Sequence, residues 1–507
     1  MSEAAPTISE EVAAAVEAPP PGTAAPRVLR LSKLVESLEQ MTPARRASFW
    51  TIFCYGSTQA LRLVSNVMLA WLLYPEAFGV MTIVNVFVQG LQMFSDIGIG
   101  PSIIQHRRGE NREFVNTAWT LQVLRGTGLA MCASLMAWPL ARFYGDAELG
   151  PLIVAAGLTA AISGFNSTVL FTVRRSLNLG AITLLEIGAQ AAGVIANCTW
   201  ALVHPSVWAL MAGAIISAVV RMAFSHALNR QMPNHFAWDR EAIGELMHFG
   251  RWIFLSTIIT FCALQGDRIL LSKLIPLDML GVYTVAITVA LMPNVLLGTL
   301  TFSVLYPLLC HAGRTDHRRL ETRLLRARGT LLKFGLAMVF AVGAGAELFF
   351  HLLYDPRYYD AVWMTRLMCV PVWMMVLNTT LETSLLALGD SRSAAGCNLA
   401  KFLANTLGAL VGFHFGGVPG FILGLAAGGL AAQGMLLWAL ARHDICVVSQ
   451  DVQHTALLIA AGGIATLVGM IVPHGAMLVG LIVLAAAAAH LLRSRNSTRA
   501  LATATSD

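Results

Sequence analysis

Charge is what this sequence has least of. Only 12% of its 507 residues are Asp, Glu, Lys or Arg, whereas 56% are hydrophobic. A soluble protein of this length carries about 25% charged residues, which keep its surface hydrated. The shortage of charge therefore excludes a soluble globular protein and predicts a chain that lies largely within a membrane.

Sequence signals of chemistry are also missing. The eight Cys residues are scattered singly, and no Cys-x-x-Cys pair or nearby His has metal-binding spacing. There is no Gly-x-x-x-x-Gly-Lys-Ser/Thr loop to hold a nucleotide phosphate, and the loops predicted outside the membrane are too short for a catalytic domain. The sequence therefore predicts no metal, no cofactor and no enzyme activity.

Long apolar runs fill most of the chain instead. Each has about 20 residues, the length with which an α-helix crosses a bilayer, and none has the short alternating pattern of barrel strands. The sequence predicts an all-α, polytopic membrane protein with about fourteen transmembrane helices. The predicted spans are 49–73, 78–105, 115–138, 150–173, 181–203, 206–228, 250–275, 281–309, 329–354, 361–388, 396–416, 418–440, 454–473 and 475–492.

The basic residues indicate which way the chain crosses the membrane. With the N-terminus inside, most of the 34 Lys and Arg residues lie in cytoplasmic tails and loops, among them the Arg-rich loop 310–328. Only Arg142 and Arg357 lie in loops on the other side. This bias follows the positive-inside rule. We therefore predict cytoplasmic termini, and we explain the net charge of +6 without nucleic-acid binding.

The two halves of the chain repeat each other at an offset of 202 residues, which pairs Trp50 with Trp252 and Gly79 with Gly281. Each half has six spans, so both enter the membrane in the same direction, as in a parallel repeat about the membrane normal. The predicted parts are a disordered cytoplasmic tail with an amphipathic segment (1–45), a six-helix lobe (46–228), a cytoplasmic linker helix (229–249), a second six-helix lobe (250–440), and helices 13 and 14 with a cytoplasmic tail (441–507).

Three stretches carry a likeness to a known family: "LLYPEAFGVMTIVNVFVQGLQMFSDIGIGPSIIQ" (72–105), "AWDREAIGELMHFGRW" (237–252) and "GDRILLSKLIPLDMLGVYTVA" (266–286). Together they resemble the polysaccharide flippases, the O-antigen and exopolysaccharide branch of the multidrug/oligosaccharidyl-lipid/polysaccharide exporter superfamily. The resemblance covers roughly residues 40–440. It implies two six-helix lobes around a cavity that is open to one side at a time.

The resemblance also implies a substrate and a location. The substrate would be an undecaprenyl-pyrophosphate-linked oligosaccharide, moved from the cytoplasmic to the periplasmic leaflet of the bacterial inner membrane for polysaccharide biosynthesis. The implied partners are this lipid-linked oligosaccharide and the membrane lipids, with a polysaccharide polymerase and a chain-length regulator as candidate protein partners.

Polar side chains form a stripe on each of the first two predicted spans. Spacings of three and four residues place the members of a stripe on one helix face. The members are Gln59, Arg62 and Asn66 in the first span and Asn85, Gln89 and Gln92 in the second. The simplest explanation is a shared water-filled cavity between the helices. Hydrogen bonding between helices of one lobe is the alternative.

Arg62 and Arg268 both belong to the first span of their half. A guanidinium binds phosphate oxygens in bidentate fashion, so we predict that this pair contacts the headgroup or the sugars of the substrate. Ionisable residues inside a bilayer are costly and are functional candidates by default. The others in the spans are Arg125, Glu186, Arg221, Lys273, Glu347, Arg366 and Lys401, of which Lys273 and Arg366 can also snorkel to the membrane surface.

Ion coupling needs a titratable group within the membrane. Asp96, Glu382 and Asp267 are the candidates, with H⁺ or Na⁺ as the coupling ion. Asp96 ends the second polar stripe and precedes Gly98 and Pro101, where an inner gate could bend. The alternative is that Asp96 caps or hydrogen-bonds within its own lobe.

Two other functions compete with the flippase. A multidrug or peptidoglycan lipid-precursor exporter of the same superfamily fits the span number, and a membrane-embedded polysaccharide polymerase is more remote because the outside loops are short. The turn "YDPRYYD" (354–360) predicts an aromatic belt at the membrane surface rather than a platform for glycans.

Overall fold

The computed structural model describes residues 43–471, apart from 96–98, 106–107, 110, 176–178, 229–232, 245–260, 262–264, 307–308, 310–316, 389 and 444. Helices dominate this part of the chain, and no strand occurs in it. Residues 1–42 of the predicted tail (1–45) lie outside the described residues, as does the predicted span 475–492.

In the described part of the first lobe there are eight helices. They are α1 Pro43–Leu72, α2 Pro75–Phe94, α3 Ile99–Gln105, α4 Arg112–Tyr144, α5 Leu149–Gly164, α6 Val169–Arg175, α7 Leu179–Val203 and α8 Val207–Ala227. Proline at the first position of α2 fits a helix start, because its missing N–H would have no intrahelical partner there.

The second lobe begins with helical residues 265–274. It continues with α9 Leu277–Ala290, α10 Met292–Leu300, a π-helix Thr301–Leu305, α11 His317–Leu353, α12 Ala361–Ala387 and α13 Ser391–Ala441. The helix α14 Val448–Ile471 follows and packs against this lobe.

The predicted count of fourteen spans is not confirmed. Within the described residues nine helices are long and apolar enough to cross a membrane, or ten if α5 and α6, bent by 56°, form one broken span. Helix α1 has 30 residues but is not among them, because its polar stripe lowers its apolarity. One of the nine, α13, contains two predicted spans, 396–416 and 418–440.

Helix α13 reverses direction at Gly417, which has φ 59° and ψ −142°. This left-handed region costs glycine little and other residues more. On either side of the reversal the two arms approach closely, since a methyl group at Gly412 would overlap the carbonyl of Gly420 and one at Gly408 that of Gly424. Small residues thus let α13 fold into an antiparallel hairpin.

Residues related by the offset of 202 meet each other in the structure. The hydroxyl oxygens of Thr82 and Thr284 are 2.9 Å apart. The equivalent glycines Gly79 and Gly281 also meet, since a methyl group at either one would lie within 3.3 Å of the backbone nitrogen of the other. Equivalent positions of two halves can touch only near the axis that relates them. The contact between α2 and α9 therefore marks the pseudo-twofold axis of the predicted repeat.

The predicted linker helix (229–249) is only partly helical where it is described. Residues 233–239 have no helical structure, and helix begins at 240. The backbone N–H groups of Ala237 and Asp239 donate instead to the hydroxyls of Thr120 and Thr117 on α4. Side chains of the first lobe thus hold this segment extended along its surface.

The molecule has two ends, which we name by their connections. The tight-turn end carries the turns 73–74, 145–148, 204–206 and 354–360 and the reversal at Gly417. The loop end carries the linker and the connections that follow α12 and α13. The long helices run between these two ends.

Candidate substrate cavity

The polar stripe of α1 faces the space between the lobes. Arg62 is exposed, yet it shares a helix face with Leu69 and Leu73, which are each 1% exposed. The lipid-facing side of α1 is the opposite one, where Val64 and Met68 are exposed. Arg62 is therefore exposed because the protein interior opens at its level.

The other predicted members of this stripe lie beside Arg62. Gln59 is half-buried, and its Nε2 donates to the Tyr55 hydroxyl at 2.8 Å. Asn66 is also half-buried.

The stripe of α2 is the exposed part of an otherwise buried helix. Beyond Glu76 in the first turn, the exposed residues of α2 are Asn85, Gln89 and Gln92. A helix that exposes only amide side chains faces water rather than lipid. The two stripes thus border an open polar space, while their role in substrate binding stays a prediction.

A chain of three side chains links the second stripe to Arg268. Gln265 donates from Nε2 to Gln89 Oε1 at 2.6 Å and accepts from Arg268 Nη1 at 2.6 Å. Nε of Arg268 is buried and has no partner within the described residues. Gln265 was not among the predicted site residues, although its position three residues before Arg268 places both on one face.

Arg268 lies between two cavities. A cavity of about 320 Å³ within the second lobe is lined by polar groups such as Asp267, Asn294 and Asn405 together with apolar residues. A second cavity of about 230 Å³ lies between the lobes and is lined mainly by apolar residues of α2, α4 and the helical segment 265–274. Arg268 lines both.

A third cavity, of about 410 Å³, lies within the first lobe toward the loop end. Gln92, Arg125, Arg174 and Arg221 line it. Arg221 forms an ion pair with Glu186 at 2.6 Å, and Arg125 donates to the carbonyl of Gln92 at 2.6 Å. The charges on α4, α7 and α8 were predicted singly and not as a group, because they come from different helices.

The three predicted coupling residues are not brought together. Asp96 lies outside the described residues. Asp267 accepts a hydrogen bond from Tyr283 Oη at 2.8 Å. Glu382 is half-buried near the loop end, and its Oε1 is buried without a partner among the described residues. The side chain of Lys401 is near enough to attract its carboxylate electrostatically.

The tight-turn end is closed by contacts between the lobes. Trp71 Nε1 donates to the carbonyl of Leu353 at 2.7 Å, and Tyr358 Oη donates to that of Leu73 at 3.2 Å. Tyr358 is fully buried. The expected aromatic belt at 354–360 is therefore wrong for this tyrosine, which fills the junction between lobes instead of facing lipid.

Two basic residues strengthen this closure. Lys273 donates to the carbonyl of Phe143 and lies 3.9 Å from the centre of its ring. Arg357 lies 4.5 Å from the ring centre of Tyr74. Lys273, in the second lobe, thus binds the first lobe. Arg366, the other residue that could snorkel, forms an exposed ion pair with Glu347 at 2.7 Å.

A buried ion pair attaches α14 to the second lobe. Arg328 is fully buried and pairs with Asp451, which also accepts from Gln433 at 2.8 Å. Nε of Arg328 donates to the Thr380 hydroxyl at 2.9 Å. Arg328 was predicted to lie in the cytoplasmic loop 310–328, and it is instead a structural residue of the lobe.

Residues 68–363 match the family described as polysaccharide biosynthesis protein. The chain is similar to the succinoglycan biosynthesis transport protein ExoT of Rhizobium meliloti (strain 1021), with 24% identity over 59% of this chain and 60% of that protein. It is also similar to the lipopolysaccharide biosynthesis protein WzxC of Escherichia coli (strain K12), with 21% identity over 74% of this chain and 76% of that protein.

Solved transporter structures share the fold. The lipid II flippase MurJ, in an inward closed conformation, matches with a TM-score of 0.68 and 11% identity over 88% of this chain and 99% of that chain. An inward-facing multidrug resistance MATE family transporter of the MOP superfamily matches with a TM-score of 0.60 and 16% identity, over 76% and 94%. These likenesses confirm the predicted all-α, multi-pass transporter fold.

Proposed function

This chain belongs to the polysaccharide biosynthesis protein family, and from that premise we propose that it is a flippase. Its substrate is an undecaprenyl-pyrophosphate-linked oligosaccharide repeat unit, which it moves across the bacterial inner membrane for polysaccharide biosynthesis. The observation that carries this proposal is a polar space between two lobes that are joined at one end. The names of ExoT and WzxC agree with it, since they describe proteins of succinoglycan transport and lipopolysaccharide biosynthesis.

The proposed orientation places the loop end in the cytoplasm. The basic residues concentrate in the predicted loops and tails of that end, as the positive-inside rule requires. The tight-turn end then faces the periplasm, and both termini are cytoplasmic. In this orientation, closure at the tight-turn end leaves the polar space accessible from the side on which repeat units are assembled.

The stripes supply groups that suit the headgroup of such a substrate. Arg62 and Arg268 match the charge and the acceptor geometry of a diphosphate. Gln59, Asn66, Asn85, Gln89 and Gln92 can exchange hydrogen bonds with sugar hydroxyls. After the substrate binds, parting of the lobes at the tight-turn end and closure at the loop end expose it to the periplasm.

The transport cycle is proposed to be driven by H⁺ or Na⁺ rather than by a bound cofactor. Glu382 supports this proposal, because a partly buried carboxyl group can exchange a proton or bind a cation, and Oε1 of Glu382 has no partner among the described residues. Asp96 is the alternative, and Asp267 is the weakest candidate because Tyr283 already binds its carboxylate. Transport at full rate by Glu382→Gln with unchanged ion dependence would exclude Glu382.

One alternative function is favoured by the fold. Because MurJ and MATE transporters share it, export of a peptidoglycan lipid precursor or of drugs is the second candidate. A polysaccharide polymerase and a chain-length regulator are proposed as protein partners only under the first function. A polymerase activity of this chain itself has no support from the relatives, whose names describe transport and biosynthesis.

The leaflet in which repeat units accumulate tests the function. In cells lacking this chain we expect lipid-linked repeat units to collect on the cytoplasmic leaflet while surface polysaccharide disappears. Restoration by the wild-type chain but not by Arg62→Gln/Arg268→Gln would locate the function in the polar space. Normal surface polysaccharide in the deletion strain, with loss of drug resistance or of cell-wall precursor export, would favour the second candidate.

A further inference from the structure

Arg268 stands between two cavities that differ in the number of polar side chains lining them. On one side the walls of the 320 Å³ cavity of the second lobe are mostly apolar, but they include the amide, carboxylate and hydroxyl groups of Gln265, Asn294, Asp267 and Thr406. Such side chains can exchange hydrogen bonds with a ligand that carries hydroxyl groups. This cavity therefore suits a sugar.

The 230 Å³ cavity on the other side is apolar. Its walls include Ile83, Leu91 and Phe94 of α2 and Ile269 of the segment 265–274. The hydroxyls of its Tyr144 and Ser272 bond to each other, with 3.2 Å between the oxygens. Arg268 is the one charged residue among those that line it. An apolar cavity of about 150 Å³ is enough to bind benzene, so this one has room for a larger hydrocarbon group.

The order of the two cavities about one arginine matches the order of groups in a lipid-linked sugar. In that molecule a charged diphosphate separates an isoprenyl chain from the first sugar. Resting on the function proposed above, we propose that the isoprenyl units next to the diphosphate bind in the apolar cavity between the lobes, that Arg268 binds the diphosphate, and that the first sugar enters the cavity of the second lobe. A phospholipid lacks the sugar and would use only part of this arrangement.

The position of the apolar cavity has a consequence for release. Both lobes contribute to it, α2 and α4 from the first and the segment 265–274 from the second. Near it, Gln89 binds Gln265 across the junction. When the lobes part at the tight-turn end, its walls separate, so the isoprenyl chain loses its site in the step that exposes the headgroup to the periplasm. Substrate release and lobe movement are thereby linked.

Binding of farnesyl diphosphate, a short soluble isoprenyl diphosphate, tests this assignment. We would measure its equilibrium binding to the full-length protein in phosphatidylcholine nanodiscs, beside inorganic diphosphate. The variant Leu91→Trp fills the apolar cavity and should weaken farnesyl diphosphate binding about tenfold, because an isoprenyl unit then loses its buried area. Inorganic diphosphate should bind Leu91→Trp as it binds wild type, whereas Arg268→Gln should weaken both ligands.

Leu135→Trp is the matched control, because Leu135 is 77% exposed on α4 and faces lipid. It should bind farnesyl diphosphate as the wild type does. Equal affinities in Leu91→Trp and Leu135→Trp would overturn the assignment, as would a wild type that binds farnesyl diphosphate no better than inorganic diphosphate.

A labelling experiment avoids the risk that Leu91→Trp disturbs folding. Cysteine is introduced at Ile269, which is 39% exposed and lines the apolar cavity, or at Leu135 as the control, in a chain without its native cysteines. Farnesyl diphosphate should slow maleimide labelling at position 269 but not at 135, and inorganic diphosphate should slow neither. Equal protection at 269 by dioleoyl phosphatidic acid would overturn the proposal in favour of a general lipid site.

The binding measurements and the deletion test of function can give negative results independently of each other. Accumulated repeat units in the deletion strain, together with unaltered farnesyl diphosphate binding in Leu91→Trp, would reject the isoprenyl site and leave the flippase standing. Normal surface polysaccharide in the deletion strain would reject the flippase itself.

Discussion

The two ends of the molecule are held together in different ways. At the tight-turn end side chains of one lobe bind the other, as when Tyr358 donates to the carbonyl of Leu73. At the loop end the strongest contacts stay inside one lobe, as in the ion pair of Arg221 with Glu186. Within the described residues, all hydrogen bonds that join the two lobes lie between the middle of the helices and the tight-turn end.

This contrast between the two ends indicates which part of the structure can move. A hydrogen bond contributes about 0.5–1.5 kcal/mol net, so the junction at the tight-turn end is a sum of small terms that a substrate or an ion can reverse. The contacts within the lobes include a buried ion pair, whose disruption costs about 3–5 kcal/mol. The lobes are therefore expected to move as rigid bodies, and the junction to open.

The largest effect should come from preventing closure at the tight-turn end. A methyl group in Gly281→Ala would overlap the carbonyl of Pro75 across the pseudo-twofold axis. We expect spin labels at the tight-turn end to show separated lobes, and transport to be lost. Gly345→Ala is the control, because Gly345 has open space around it. Wild-type distances in Gly281→Ala would show that the junction tolerates the added atom.

The next largest effect should appear inside the second lobe. Arg328→Met leaves the buried carboxylate of Asp451 without its partner and should destabilise the protein by about 3–5 kcal/mol, measured as a lower Tm of the purified chain. Arg328→Met/Asp451→Leu should recover most of that loss.

The exposed pair of Arg366 and Glu347 provides the control for this experiment. Its disruption by Arg366→Gln should cost about 0–1 kcal/mol. Equal losses of stability from Arg328→Met and Arg366→Gln would mean that the buried pair does not hold α14 on the lobe.

A smaller effect is expected from removing one bond of the junction. Trp71→Phe keeps the ring but loses the hydrogen bond to Leu353. The closed state should lose about 1 kcal/mol, which raises the ratio of open to closed molecules about fivefold. Double electron–electron resonance across the tight-turn end measures this ratio. Trp200→Phe, at an exposed Trp of α7, should leave the ratio unchanged.

The smallest effect concerns pH at the same end. The hydrogen bond from the Arg357 side chain lowers the pKa of Asp355, with its burial acting in the opposite direction. A carboxyl group with a lowered pKa stabilises the fold above its unfolded pKa of about 4 and loses that contribution as pH falls through the folded value. The Tm difference between wild type and Asp355→Asn should therefore stay constant from about pH 8 to about pH 5. A difference that fades within this window would place a titrating switch at the turn.

Part of this architecture could be predicted from periodicity. The offset of 202 predicted the repeat, and the structure brings Thr82 and Thr284, which obey it, into contact. Spacings of three and four predicted the stripes, because helix geometry alone decides which residues share a face. Both are regular spacings, which can be recognised in a single sequence.

The remainder depends on which distant residues meet. The residues near Arg328 in the sequence do not predict its ion pair with Asp451, which lies on α14. The same holds for Lys273, which binds the carbonyl of Phe143 from the other lobe, and for Gln265, which bridges the lobes. The count of fourteen spans stays a prediction, although the reversal at Gly417 falls between the predicted spans 396–416 and 418–440.

The central claim is that transport requires the lobes to part at the pseudo-twofold axis. The hydroxyls of Thr82 and Thr284 lie 2.9 Å apart there, so Thr82→Cys/Thr284→Cys in a chain without other cysteines should form a disulfide on oxidation. We predict that the oxidised protein, in proteoliposomes, stops moving labelled lipid-linked oligosaccharide and that reduction restores transport, while each single variant is insensitive to the oxidant. Transport at an unchanged rate by the fully cross-linked protein would contradict the account.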